Sequence, residues 1–169
     1  NHVRNPFFFD KTLATFIDQY IVLASIVLFV KKMAHLILAS SSPRRRELLS
    51  QLGLTFEILS PDIDESILAN ETAYDYVKRL SLNKAQAVLL YQKDAIVIAA
   101  DTTVAIDGKI IGKPESKQHA FEIWNALSGR EHEVLTGVCV ANKHQYLQDV
   151  VCTKVEFQEL SPADMEHYW

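Results

Sequence analysis

Residues 95–100, AIVIAA, are apolar without interruption. A strand with one wet face alternates apolar and polar side chains, so a run lacking alternation predicts a strand covered on both faces. Covering both faces takes helices above and below the sheet, which restricts the chain to a layered α/β arrangement. The flanking sequence supplies such helices. Thr72 with Asp75 reads as a capping box opening a helix to about Tyr91, with Val77, Leu80, Ala85, Val88 and Leu89 as its apolar stripe and Lys78, Arg79 and Lys84 interleaved. Residues 36–40 read as a short strand. Ser42-Pro43 then starts a helix with Leu48, Leu49 and Leu52 on one face and Gly53 as its stop.

The remaining pattern continues the alternation. Residues 56–59 read as a second strand, ending at Ser60-Pro61. Residues 103–106 and 109–111 flank Asp107-Gly108, a strong hairpin signal because a type I′ turn needs two positive φ angles. Ser116 caps a helix carrying Ala120, Ile123, Trp124 and Leu127, closed by Ser128-Gly129. Residues 133–141 and 146–160 are β-rich and suit a hairpin. Ser161-Pro162-Ala163-Asp164 opens a last helix that stops at Trp169 after about two turns, which reads as a truncated chain.

The first 32 residues differ in character. Residues 21–30 (IVLASIVLFV) are apolar and are followed by Lys31-Lys32. A helix of that length reaches about 15 Å, about half a bilayer core. The lysines follow the apolar run, whereas a signal peptide carries its charges before it. Met33 opens MAHLILASSSPRR, so the domain is expected over 33–169. Residues 1–32 are then an apolar extension outside it, with a membrane-touching or packing helix as the alternative reading.

With 169 residues, 49% hydrophobic and 22% charged, the chain suits one ordinary globular domain. A formal net charge of −4 argues against nucleic acid as a partner. A small anionic substrate is still allowed, because a few cations can dominate a cleft locally. Cys139 and Cys152 sit in apolar, β-branched stretches and read as reduced core residues.

Ala39 to Arg46 (ASSSPRRR) lies between a strand and a helix. A helix N-terminus presents unpaired N–H groups and partial positive charge, so it suits phosphate. Ser40 and Ser42 add hydroxyls, and Arg44 and Arg45 add planar forks that match phosphate oxygens. A capped surface helix with solvated arginines has the same sequence signature. Asp101 follows the apolar run, where α/β sheets gather ligand sites at strand carboxyl ends. It could hold Mg²⁺ or take a proton from water, or end the strand through an Asx-turn. Glu65 lies in the acidic segment Ile63-Asp64-Glu65, open to reading as solvated surface or as a hard-cation ligand. Lys84 and Lys113 are unremarkable singly, and Lys113 sits in the tight Gly112-Lys113-Pro114 turn. His119 falls on the Ser116 helix, His132 just before a strand and His144 in a turn. No HExxH, CxxC, P-loop or GxGxxG pattern is present.

Taken jointly, these segments resemble the Maf family of nucleotide pyrophosphatases. The stretch from Leu36 to Gly53 is similar to its opening signature LxLASxSPRRxELLxxLG. The matches continue in family order with Ile63-Asp64-Glu65, Tyr76-Val77-Lys78-Arg79-Leu80 with Lys84-Ala85, and Ala100-Asp101-Thr102-Thr103-Val104. Gly112-Lys113-Pro114 and the stretch from Ser128-Gly129 to Thr136-Gly137-Val138 complete them. The resemblance implies a Maf/inosine-triphosphate-pyrophosphatase-like fold, a mixed sheet flanked by helices. It also implies a cytoplasmic homodimer using Mg²⁺ or Mn²⁺ to hydrolyse a nucleoside triphosphate to its monophosphate and pyrophosphate. Asp101 would then be the catalytic proton acceptor and, with Glu65, a metal ligand. Ser40, Ser42, Arg45, Lys84 and Lys113 would hold phosphate.

Arg44 and Thr102 match the family branch acting on dTTP and UTP, and are expected to set specificity. The 7-methyl-GTP branch, with a Trp after the Pro and a Gln after the Asp, is the alternative. A nucleotide-binding regulator of septum formation is the reading from another class. The family's later segment with a further specificity Gln, and its GLP ending, do not follow Trp169, so the activity is expected of the full-length protein, and whether the chain as it stands is active is left open.

Overall fold

The helices begin at the side chains the sequence singles out. Ser42, Thr72, Ser116 and Ser161 each accept a hydrogen bond from the backbone N–H of Arg45, Asp75, His119 and Asp164 respectively. Each such cap satisfies one orphan donor of the first turn and is worth about 1 kcal/mol. At Ser161 the capping box is complete in both directions. The computed structural model describes residues 35–169. The apolar run at 21–30 and the boundary expected between 32 and 33 lie outside the described residues.

In chain order the elements are β1 (Leu36–Ala39), α1 (Pro43–Gln51), β2 (Glu57–Ile58), α2 (Ala73–Leu89), β3 (Ile96–Ile106) and β4 (Lys109–Ile111). They are followed by α3 (Lys117–Leu127), β5 (Glu131–Ala141), β6 (Tyr146–Glu156) and α4 (Pro162–Tyr168). Among these residues the strands form one mixed sheet in the order β2-β1-β3-β5-β6, with β4 also paired to β3. β1 is parallel to β2 and β3, while β3–β4, β3–β5 and β5–β6 are antiparallel. The β3–β4 turn has φ of 52° at Asp107 and 74° at Gly108, both left-handed as the hairpin reading requires.

The uninterrupted apolar run is explained by the two layers. Ile37, Ala39, Val97, Ala99 and Cys139 pack with Ala85 and Val88 of α2 on one face. Leu36, Leu38 and Ile98 pack with Leu49 of α1 on the other. Alternate residues of β1 and of 95–100 in β3 therefore enter different cores, and neither face of that stretch carries a polar side chain.

Three expectations need correction. Residues 95–100 and 103–106 are not separate strands, because β3 runs through Asp101 and Thr102. The ladder with β5 is continuous from Val97↔Ala141 to Ala105↔Glu133, and it carries the polar pair within the strand. Cys152 is exposed: it lies opposite Leu135 and shares the face of the sheet that packs on α2, but it stands on the outermost strand among the described residues, past the part of that face that α2 covers. Both cysteines are free, and burial pushes the Cys139 thiol up to about 11, making it inert. His132 lies inside β5, 4% exposed, with its ring edge-on to Phe157 at 4.7 Å. Among the described residues no helix is long and apolar enough to cross a membrane.

α2 seats on the sheet through a close backbone approach. A Cβ placed on Gly137 of β5 would run into the Val77 peptide, 2.6 Å from its carbonyl carbon and 3.1 Å from the Lys78 nitrogen. The obstacle is helix backbone, which cannot swing aside as a side chain can. Gly137→Ala should therefore lift α2 and destabilise the protein by about 1–3 kcal/mol, measured as a lower urea midpoint. An unchanged midpoint would show that the helix seat has slack.

Candidate active site

The cleft forms where β3 changes neighbours. Its pairing with β1 ends at Ala39↔Ala99, and its pairing with β4 begins at Val104↔Ile111. Between these points, residues 100–103 keep β5 on one side and lack a strand on the other. A cavity of about 420 Å³ opens there, large enough for a small ligand. Ser40, Ser41, Ser42, Arg45, Glu65, Tyr76, Lys84, Asp101, Thr102 and Lys113 line it, together with Ile67, Val104, Ile110 and Ile111. Of the residues expected to bind or act on a substrate, Arg44 alone is not brought to the cavity wall. It is exposed on α1.

Asp101 sits inside β3, only 9% exposed, and not at a strand end as its sequence context suggested. It still borders an open edge, because β1 has already ended. Lys84 of α2 reaches it, donating from Nζ to Asp101 Oδ1 at 2.6 Å. The same ammonium lies 2.7 Å from Glu65 Oε1. One cation thus joins two carboxylates from a strand and a loop. The hydrogen bond from Lys84 is the main reason the Glu65 carboxyl titrates below its ordinary range, and Lys113, 3.3 Å from Oε2, adds to it.

Arg45 solves a backbone problem created by the same gap. Its Nη1 donates to the Ala100 carbonyl at 2.9 Å, just beyond the point where β1 leaves, and to Ser40 Oγ at 3.3 Å. A carbonyl losing its ladder partner in a partly buried site needs such a donor. Nη2 donates to Thr102 Oγ1 at 2.8 Å, and Thr102 hydrogen-bonds Thr136 at 3.1 Å. Burial draws the Arg45 pKa down, and Asp101 and Glu65 oppose that. Adjacent strand residues face opposite sides of a sheet. Asp101 accordingly meets α2, and Thr102 meets α1. Ser40, 7% exposed, and Ser42, the α1 cap, stand beside the helix N-terminus, where the backbone dipole favours an anion.

Sequence reasoning did not assign chemistry to Tyr76, Arg79 or Glu71. Tyr76 Oη donates to the Glu65 carbonyl at 2.9 Å, and burial pushes its pKa up. Arg79 grips Glu71 with Nε and Nη2, at 2.6 and 2.7 Å. The available signal was the one-turn spacing of Tyr76 and Arg79 on α2, which makes them neighbours on the helix surface.

A buried strand carboxylate, a lysine shared with a second carboxylate, and a serine-lined helix N-terminus make a cleft suited to hydrolysing a small polyanion. Comparison with known proteins gives the family. A model of the Maf-like protein family matches residues 35–169, and the chain belongs to that family. It is 61% identical over 132 residues to the dTTP/UTP pyrophosphatase of Acinetobacter baylyi, covering 78% of this chain and 72% of that protein. It is 47% identical over 141 residues to the dTTP/UTP pyrophosphatase of Vibrio parahaemolyticus, covering 83% and 75%. Among solved structures, a HAM1 protein from Coxiella burnetii superposes with a TM-score of 0.53 at 17% identity, covering 73% of each chain. The Staphylococcus aureus Ham1 protein gives 0.51 at 13% identity, covering 72% of this chain and 71% of that one. These likenesses establish the α/β fold.

The Glu71–Arg79 pair gives a pH prediction. The hydrogen bond from Arg79 holds the Glu71 carboxyl below its ordinary value of 4.5. The stability it contributes is present above that value and is lost as pH falls through the lower folded-state value. Urea midpoints measured from about pH 6 to about pH 3 should fall, and Glu71→Gln should flatten part of that fall. An identical slope in the variant would remove Glu71 from the acid-sensitive set.

Proposed function

We propose that this protein, in its full length, hydrolyses dTTP and UTP to the corresponding monophosphate and pyrophosphate. The observation that carries the reading is Lys84 holding the Asp101 and Glu65 carboxylates together beside the Ser40–Ser42 helix N-terminus. The likeness to two dTTP/UTP pyrophosphatases at 61% and 47% identity supports the substrate class.

In this reading water attacks the α-phosphorus, and the bond from it to the α–β bridging oxygen breaks. Pyrophosphate leaves with that bond's electron pair. Lys84 engages Oδ1 of Asp101, so Oδ2 is the oxygen that takes the proton from the attacking water. Arg45, Lys113 and the serines at the head of α1 bind the phosphate chain and face the charge that builds on the leaving group. The specificity role of Thr102 acts through its bond to Arg45, from the α1 side of the sheet. Arg44, exposed on α1, would act at the rim.

The donor chemistry fits a divalent cation. Glu65 and Asp101 offer hard carboxylate oxygens from a loop and a strand, held near one another by Lys84, and these two residues would hold the cation. Among the described residues no group of three or more His, Cys, Asp or Glu gathers, so the protein would supply few ligands. Mg²⁺ suits such a site because it keeps waters and takes phosphate oxygens. When bound, Mg²⁺ or Mn²⁺ would neutralise phosphoryl charge. The remaining expectations, a homodimer and a cytoplasmic location, belong to this same reading.

Pyrophosphate release from dTTP, UTP, CTP and 7-methyl-GTP tests it. Release from dTTP and UTP should fall about 10²–10⁴-fold in Asp101→Asn, the span general-base removal gives, with the fold retained. Release from 7-methyl-GTP alone would keep the chemistry and overturn the substrate. A folded protein that binds these nucleotides without turnover would overturn the hydrolase reading.

A further inference from the structure

Glu65 lies on a segment without regular secondary structure, between the end of β2 and the start of α2. Such a segment does not by itself hold a carboxylate to within a few tenths of an ångström. Yet Glu65 is close enough to both Lys84 and Lys113 for ion pairing. The side chains that fix it come from the first turns of α2. Tyr76 Oη bonds the carbonyl of Glu65 itself, and Arg79 Nη2 bonds the carbonyl of the next residue, Ser66, at 2.9 Å.

Arg79 is itself immobilised. Its fork meets both carboxylate oxygens of Glu71, whose side chain is 7% exposed. Glu71 Oε2 also accepts from the Leu68 N–H at 3.0 Å, which ties down the far end of the segment. The Arg79 guanidinium lies over the Tyr76 ring at 5.6 Å, so the two tethers brace one another. Lys84, which receives Glu65, stands two turns further along the same helix. Tether and target therefore share one rigid element, and the distance between them does not depend on the rest of the fold.

We propose that Tyr76 and Arg79 are positioning residues that clamp two successive backbone carbonyls, those of Glu65 and Ser66, and so present the Glu65 carboxylate to Lys84. The proposal rests on the hydrolase reading above and gives Tyr76, on the cavity wall, and Arg79 a role that acts through Glu65. Without the clamp the segment keeps its ends but loses its register over the cleft. Phosphate-binding groups on α1 and at Lys113 stay in place. The consequence is a loss in kcat with little change in nucleotide KM.

Tyr76→Phe removes one hydrogen bond and keeps the ring, so it tests the clamp with little risk to folding. In the full chain, kcat with dTTP should fall about tenfold, KM should stay within about twofold, and amide exchange of residues 62–71 should quicken. Arg79→Lys, which keeps the charge and loses the fork, should act in the same direction. In a Glu65→Gln background, Tyr76→Phe should cause no further loss, because there is no carboxylate left to position. Full wild-type kcat in Tyr76→Phe would overturn the proposal. So would an equal loss in the presence and absence of Glu65, or a loss appearing in KM alone. A Glu65→Gln variant as active as the wild type would instead remove Glu65 from the hydrolase reading, and the clamp's purpose with it.

Discussion

The ammonium of Lys84 lies 2.6 Å from Asp101 and 2.7 Å from Glu65, with lysine and aspartate side chains each 12% exposed. Two carboxylates brought this close in a half-dry cleft repel unless a cation separates them. An unpaired lysine buried to the same degree would be strongly disfavoured as well. Each charge is tolerable only because the others are present, so the three must arrive together from a helix, a strand and a loop. Ion pairs of this kind contribute little net stability, and their structural value lies in fixing geometry. The seat of α2 follows from the same demand. Gly137 lets the helix backbone approach β5 closely enough for Lys84 to look across at Asp101.

The sheet contributes a second constraint. β3 exchanges β1 for β4 as its neighbour, and the stretch between the two keeps one bare edge. A bare edge inside a domain leaves backbone groups unmet, and Arg45 answers by bonding the Ala100 carbonyl. That bond commits part of the guanidinium to structure, and the bond to Thr102 commits another part. A side chain expected only to grip phosphate is thus also the piece that finishes the sheet. Substitution here would disturb binding and backbone together.

Local signals were legible in the sequence because their physics is local. The caps at Ser42, Thr72, Ser116 and Ser161 and the Asp107-Gly108 turn each depend on a few adjacent residues. The layered class was legible because 95–100 has no polar face. What escaped depends on distant partners. Asp101-Thr102 looked like a strand end because polar pairs usually are, whereas the unbroken β5 ladder keeps them in the strand. Cys152 looked buried because its neighbours are apolar, yet β6 is the outermost strand among the described residues, and α2 covers Leu135 opposite it without covering the thiol. The cleft residues were named through family likeness, and their grouping was not deducible from spacing. Tyr76 and Arg79 gave no chemical signal, because their work is done on backbone carbonyls of another segment.

The cations of the cleft are held unequally, and this orders what an incoming phosphate chain can recruit. Lys84 is largely buried and bound on two sides, so re-aiming it would strand both carboxylates. Arg45 is pinned by Ala100, Ser40 and Thr102. Lys113 is 92% exposed and meets Glu65 only at 3.3 Å, a contact of small worth at a solvated surface. It can leave Glu65 for a phosphate oxygen at little cost, and Glu65 then still has Lys84. A protein of net charge −4 can in this way offer an anion one adaptable cation over a fixed framework, without a broadly basic surface. The ion pairs and hydrogen bonds of this framework are in place with no anion present, which is the preorganisation that charge stabilisation requires.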